Sequence, residues 1–259
     1  MRRALVATLL LAVTTSPARA AWTGEPGHGL AITTVTLARA NDRFDTDSHR
    51  QPATGSLKIE IAPWLEYGLA PGLLAVAQPT WTKIEAGHDD EGMNKLFLGL
   101  RQALVTEGED VLSIQPGLTL PLSRGARATA LGNDRLVGEL RLMWGHGFQL
   151  PTPFTEEPLP GFLVVEAAPR VTEGGDDTEM EANATLGLTI PDGTMVLLQA
   201  INQWRVGEAS PAYRKHQIQP SVVFPLWEGI SFQAGVTWVF DGASMPAETG
   251  AIAAFWLRF

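Results

Sequence analysis

The chain contains no cysteine, which excludes a disulfide framework, a thiolate metal site and a cysteine nucleophile. Basic residues are scarce: 19 Lys+Arg stand against 28 Asp+Glu, a formal charge of -9. That balance argues against nucleic acid as a partner. Long apolar runs are missing as well. Beyond residue 20, charged or turn residues interrupt every apolar stretch before it reaches the length of a membrane helix, about 20 residues. There is no Ser/Gly linker, low-complexity tract or compositional break, so residues 21–259 read as one domain. Yet 45% of the chain is hydrophobic. Dyad repeats reconcile these facts if the chain meets a membrane, because only helices and closed barrels satisfy every backbone group in hydrocarbon.

The first twenty residues stand apart. Arg2 and Arg3 form a positive start, Ala4 to Val13 a short apolar core, and Ala18-Arg19-Ala20 a small-x-small cleavage site. Residues 1–20 therefore read as a signal peptide, with the mature chain starting at Ala21. The core is about half the length that a helical anchor needs. Loss of Arg2, Arg3 and Arg19 leaves 16 basic against 28 acidic side chains, a charge of -12.

What is present is alternation. At the far end Ala251, Ala253, Phe255, Leu257 and Phe259 alternate with Ile252, Ala254, Trp256 and Arg258. A two-residue period places each set on one face of a strand. Similar segments fall near 28–39, 56–69, 73–85, 96–105, 111–122, 135–148, 161–171, 180–190, 194–206, 213–224, 230–240 and 250–259. These predict about twelve strands, the even number expected of a single-chain bacterial barrel: an all-β, antiparallel, up-and-down transmembrane β-barrel. The clearest puts Ala182, Ala184, Leu186, Leu188 and Ile190 outward against Asn183, Thr185, Gly187 and Thr189.

The connections alternate too. Ala70-Pro71-Gly72, 106–110, Pro191-Asp192-Gly193 and 225–229 read as short periplasmic turns. Segments 40–55, 86–95, 123–134, 172–179, 207–212 and 241–249 read as extracellular loops, and 149–160 is a long Pro-rich exception on the periplasmic side. Trp144, Phe148, Trp204, Trp238 and Phe240 fall toward segment ends, as an aromatic girdle requires, whereas Trp64 and Trp256 take inward parity. Pro63, Pro79, Pro116, Pro169 and Pro220 lie inside predicted strands, which calls for bulges or rim positions.

Phe255, Leu257 and the terminal Phe259 resemble the C-terminal signal of Gram-negative outer-membrane proteins, which the barrel-assembly machinery reads. Glu66-Tyr67-Gly68-Leu69 with its turn, Gln217-Ile218-Gln219-Pro220-Ser221-Val222, Phe232-Gln233-Ala234-Gly235-Val236 and Trp256-Leu257-Arg258-Phe259 extend that likeness. Together they resemble proteobacterial outer-membrane barrels of the porin and transporter type, near the group named for the MetA-pathway of phenol degradation. The resemblance implies a barrel in the cell outer membrane, with lipid and lipopolysaccharide as surroundings, and carries over no catalytic residue.

Inward parity gives the lumen Lys58, Glu60, Glu66, Arg101, Glu139, Arg141, Glu166, Arg170, Glu181, Lys215 and Arg258. Of these, Arg101, Glu139, Arg141, Glu166 and Arg170 are candidates for one constriction, because opposite charges fall on neighbouring strands. The same charges could instead form a salt-bridge filling. Twelve strands about 4.8 Å apart and tilted about 40° enclose a backbone diameter of roughly 25 Å, of which side chains remove roughly 10 Å. A narrow channel or facilitator for a small-molecule permeant follows, with a structural or surface-interaction barrel as the alternative.

An outer-membrane lipid hydrolase is the third class. His146 and His216 take outward parity, but no serine stands in a nucleophile elbow beside either. Three acidic groups, Asp42/Asp45/Asp47, Asp89/Asp90/Glu91 and Glu173/Asp176/Asp177/Glu179, lack calcium-loop spacing and read as solvated turns that at most bridge divalent ions to lipopolysaccharide. No metal, cofactor or catalytic residue is assigned. Membrane fractionation should recover the protein with outer membranes, heat-modifiable on gels and lacking residues 1–20, and removing Phe259 should lower assembly without altering export. Recovery as a soluble periplasmic protein is the contrary outcome.

Overall fold

The computed structural model describes residues 21–86, 89–123, 131, 135–153, 155–174, 178–206 and 213–259. The expected signal peptide lies outside them. Twelve long strands and one two-residue strand form a single sheet. They are β1 Gly29–Phe44, β2 Arg50–Ala70, β3 Leu73–Glu85, β4 Asp89–Glu107, β5 Asp110–Pro121, β6 Val137–Leu150, β7 Leu159–Thr172, β8 Thr178–Thr189, β9 Met195–Val206, β10 Arg214–Trp227, β11 Ile230–Ala243, the short β12 Met245–Pro246, and β13 Thr249–Arg258. Each long strand pairs antiparallel with its sequence neighbours, and β1 pairs with both β2 and β13, so the sheet closes into an up-and-down barrel.

Alternation dictates which face each residue takes. On β6 Leu140, Leu142 and Trp144 are 40–50% exposed, whereas Met143 between them is 2% exposed. A belt of exposed Leu, Val, Phe and Trp surrounds the whole wall, the reverse of a water-soluble sheet and the surface that hydrocarbon requires. Cross-strand partners run Leu30, Glu66, Val76, Gly99, Gly117, Glu139, Arg170, Glu179 and Arg205. That row begins near the start of β1 and ends near the finish of β9, so the strands are staggered and tilted as closure demands.

Several strands exceed their expected bounds. Residues 40–44 and 50–55, read as loop, lengthen the β1–β2 hairpin and leave only 45–49 as its turn. Residues 89–95 belong to β4, and β12 lies within the expected loop 241–249, pairing Met245 with Phe44. Paired backbone continues past the lipid belt because water then replaces lipid at the outer face while the ladder is retained.

The prolines need a correction. They sit mid-wall, each beside a gap in pairing on one side; the expected bulge is found only beside Pro79, where the β3–β4 register shifts between Thr80 and Trp81. Pro63 pairs in register with Thr33, while partners on β3 lapse between Ile61↔Trp81 and Leu65↔Ala77, where Pro79 also lies. Pro116, Pro169 and Pro220 pair with Leu140, Met180 and Leu198, and the opposite ladder lapses beside each. Proline removes one donor, and a wall with two neighbours per strand can lose that bond and hold its register through the other.

The lumen is filled unevenly. At the end carrying Ala21 and Phe259, Val111, Met143, Phe162, Val164, Met195, Leu197, Val223 and Trp256 form an apolar cluster with Ala21, and Trp22 packs against it. The Ser113 hydroxyl donates to the Ala21 carbonyl at 2.6 Å. Ala21 therefore lies inside the barrel at this end, with Trp22 packed beside it. At the other end residues 244–248 fold back over β1, with Ser244 N–H donating to Asp45 O at 3.0 Å and Ala247 N–H to Asp42 O at 2.9 Å. A β-carbon at Gly187 would overlap the Phe162 ring. Gly187→Val should therefore destabilise the barrel by about 1–3 kcal/mol, measured as a lower transition temperature for loss of the folded gel band, whereas Gly138→Ala, which meets only Leu118 at 3.9 Å, should not.

Candidate functional site

Inward residues on consecutive strands meet because the ladder sets them opposite one another. Glu139 on β6 faces Arg170 on β7, which faces Glu179 on β8. One rung away Gln115 faces Arg141, and Glu181 faces Gln203. The Arg141 guanidinium reaches Glu139 at 3.2 Å, Glu166 at 2.7 Å and Glu181 at 2.9 Å. Arg170 reaches Glu139 and Glu179 at 3.5 Å and Glu181 at 3.7 Å. Asn183 donates to Glu166 at 2.9 Å and Glu181 at 2.7 Å, and Gln203 to Glu179 at 2.7 Å. Four carboxylates thus share two guanidiniums on one wall of the lumen, with side chains between 5% exposed (Glu139) and 24% exposed (Glu179).

Of the five predicted constriction residues, Glu139, Arg141, Glu166 and Arg170 come together. Arg101 does not join them. Only 1% exposed, it binds Glu66 at 3.0 Å through Nη2 and donates through Nε to Gln115 Oε1 at 3.0 Å. Because Gln115 is the cross-strand partner of Arg141, an amide separates the two arginines, which avoids direct repulsion between them. Arg101 Nη1 and Gln115 Nε2 are buried donors with no protein acceptor. Glu66 also accepts from Trp64 Nε1 at 2.9 Å, and Trp64 stacks on Phe97 with centroids 6.1 Å apart. The inward parity of Trp64 and Trp256 therefore holds, and Trp256 donates to Gln233 at 2.9 Å.

Glu179, which the sequence pattern places in a solvated acidic loop, is instead part of the wall. It lies on β8 and points at Arg170 and Gln203. The signal was available: Glu179 keeps the parity of Glu181 and Asn183, and the strand starts two residues earlier than the alternation indicated. Asp176 and Asp177 lie outside the described residues. Below the charge strip the lumen holds a cavity of about 250 Å3. Gln199, Gln219 and Gln233 line it together with Trp64, Phe162 and Leu197. Gln219 donates to Gln199 at 2.9 Å and Gln233 to Ser221 at 2.8 Å. Nearer the opposite rim, Lys58 pairs with Glu248 at 2.7 Å.

Outside, Phe255, Leu257 and Phe259 are exposed on the belt, and Phe255 packs against Phe232 with centroids 5.2 Å apart. His146 Nδ1 lies 3.0 Å from Asp110, between the Trp144 and Phe148 rings, and His216 Nδ1 lies 2.7 Å from Asn202. Those partners make interfacial ring clusters. In the β1–β2 turn Asp45, Asp47 and His49 bring possible ligand atoms within 4.8 Å of one another. The Asp45 carboxylate is already engaged, accepting the N–H of Asp47 and of His49 at 2.9 Å and Gln51 at 2.6 Å. The His49 N–H foremost holds its pKa below the usual carboxylate range. It braces a turn.

No protein-family model and no curated protein sequence matches the chain. Among solved structures it is similar to an outer membrane channel from Pseudomonas putida F1, with a TM-score of 0.69 and 14% identity over 94% of this chain and 100% of that one. It is also similar to the KdgM porin in complex with disordered oligogalacturonate, with a TM-score of 0.51 and 8% identity over 89% of this chain and 99% of the other. At these identities the likeness shows the barrel fold. Removing Arg141 leaves Glu166 without its cation and Glu139 and Glu181 with Arg170 alone, so Arg141→Ala should lower stability by on the order of 3 kcal/mol, read from urea unfolding in micelles. Arg141→Lys, which keeps the charge but not the fork, should recover only part of that loss.

Proposed function

We propose that the protein is a narrow channel or facilitator for small solutes in the cell outer membrane. The observation that carries this reading is the contrast between the two faces of the wall: an apolar belt outside, and inside a paired charge strip above a cavity of about 250 Å3. A permeant needs hydrogen-bonding surface at close quarters, and the cavity supplies it through Gln199, Gln219 and Gln233. Glu139, Arg141, Glu166 and Arg170, joined by Glu179 and Glu181, form the constriction, and Arg101 sets its lower edge through Gln115. Both signs of charge in the strip suit a filter that slows ions and admits small polar or neutral solutes.

In this reading the leader directs export, and Phe255, Leu257 and Phe259 are read by the barrel-assembly machinery. The belt meets lipid and lipopolysaccharide. The short patterns shared with proteobacterial barrels near the MetA-pathway of phenol degradation group support placing the chain beside them. This reading assigns no residue a catalytic role, and in it Ala21 and Trp22 act as a stopper that restricts flow. Purified protein in planar bilayers should give small conductance steps. Trp22→Ser, or deletion of residues 21–28, should enlarge them several-fold, and Arg141→Ala or Arg170→Ala should shift preference toward cations by removing positive charge beside four carboxylates. Silence in all of these, with folding intact, would falsify the channel.

A further inference from the structure

The outer wall carries a groove of about 980 Å3 that crosses β2 to β7. Its upper edge is one unbroken row of cross-strand partners, Leu65, Ala77, Leu98, Leu118, Gly138 and Val171. Its lower edge runs from Tyr67 and Ala75 through Leu100 and Pro116 to Leu140 and Pro169. The floor is the backbone of the row between, including Gly99 and Gly117, which the Phe97 ring covers from inside. Small residues, Ala75, Ala77, Pro116, Gly138 and Pro169, interrupt both edges. The lower edge is also where the ladder lapses, beside Pro116 and beside Pro169.

We propose that this groove is a docking site for the acyl chains of a glycerophospholipid. It rests on the membrane-spanning reading of the barrel, not on conduction. The groove is continuous with the lipid-facing belt, since Leu65, Leu98, Leu100, Leu118, Leu140 and Val171 are themselves exposed. Apart from the Tyr67 hydroxyl, its edge side chains offer no hydrogen-bonding group, so it selects by shape and apolar area alone. The occupant must therefore be apolar, flexible and elongated. Because of the stagger the groove climbs the wall obliquely, starting at Tyr67 and Phe259 beside the termini, where amphipathic rings stand at headgroup level. That places the headgroup in the leaflet at the terminal end of the barrel.

The test uses full-length protein in vesicles of phosphatidylethanolamine and phosphatidylglycerol, with a small fraction of phosphatidylethanolamine bearing a mid-chain diazirine. After irradiation, adducts are mapped by mass spectrometry. They should concentrate several-fold on Leu98, Leu100, Leu118 and Leu140 relative to the equally exposed Val236, Trp238 and Leu257 on the opposite wall. Ala77→Phe should abolish the excess, whereas Ala253→Phe should not, with heat-modifiable folding intact in both. Adducts spread in proportion to exposure would overturn the proposal while leaving the membrane reading standing. Groove residues shielded in a cross-linked dimer would assign the face to a second copy, and labelling displaced by added lipopolysaccharide from the opposite rim would assign it to that lipid; both defeat the proposal. Absence of adducts anywhere on the belt would instead defeat the membrane reading.

Discussion

The constraint on which everything else depends is that a chain in hydrocarbon must satisfy its own backbone. A sheet can do so only by closing, and here β1 closes it by pairing with both β13 and β2. Closure then governs the prolines. In an open sheet they would be driven to an edge, but in this wall each strand has two partners, so Pro116, Pro169 and Pro220 keep one ladder and interrupt the other. What is lost is a local bond. What is retained is register, and a slip of one residue would turn the belt of Leu and Val inward and the arginines into lipid.

The same register builds the charged lumen. Glu139, Arg170 and Glu179 meet because they are successive cross-strand partners, not because loops bring them together. Their positions are as well defined as the wall itself. The arginines differ in role accordingly: Arg141 gathers three carboxylates from three strands, while Arg101 is held apart by Gln115 and serves Glu66. The paired charge strip lies along one wall of the lumen, and toward the end that carries Ala21 and Phe259 an apolar cluster forms with Ala21, with Trp22 packed against it.

Much of this was legible because a period of two is unmistakable when one solvent is lipid. All twelve alternating segments correspond to strands, and the inward assignment of Glu139, Arg141, Glu166 and Glu181 follows from parity alone. The losses came where the pattern ceases to be informative. Beyond the belt both faces meet polar surroundings, so residues 40–44, 50–55 and 89–95 lose the contrast that marks a strand, and Glu179 was assigned to a loop for the same reason. Contacts of residues far apart in sequence leave no periodic trace. Ala21 on Ser113 and Trp22 on Gly145 belong to that kind, as does the separation of Arg101 from Arg141 by Gln115.

One row of the wall joins the two faces. Glu66, Val76, Gly99, Gly117 and Glu139 are consecutive cross-strand partners whose backbone floors the outer groove. On the inside, the ends of that row are the carboxylates clamped by Arg101 and by Arg141 and Arg170. Its two glycines have no side chain on either face, and Phe97 fills the space behind them. There the outer groove lies on one side of the backbone and an aromatic ring on the other. Where the ladder lapses beside Pro116 and Pro169, lumen side chains join the same pairs of strands: Arg101 donates to Gln115 between β4 and β5, and Arg170 pairs with Glu139 between β6 and β7.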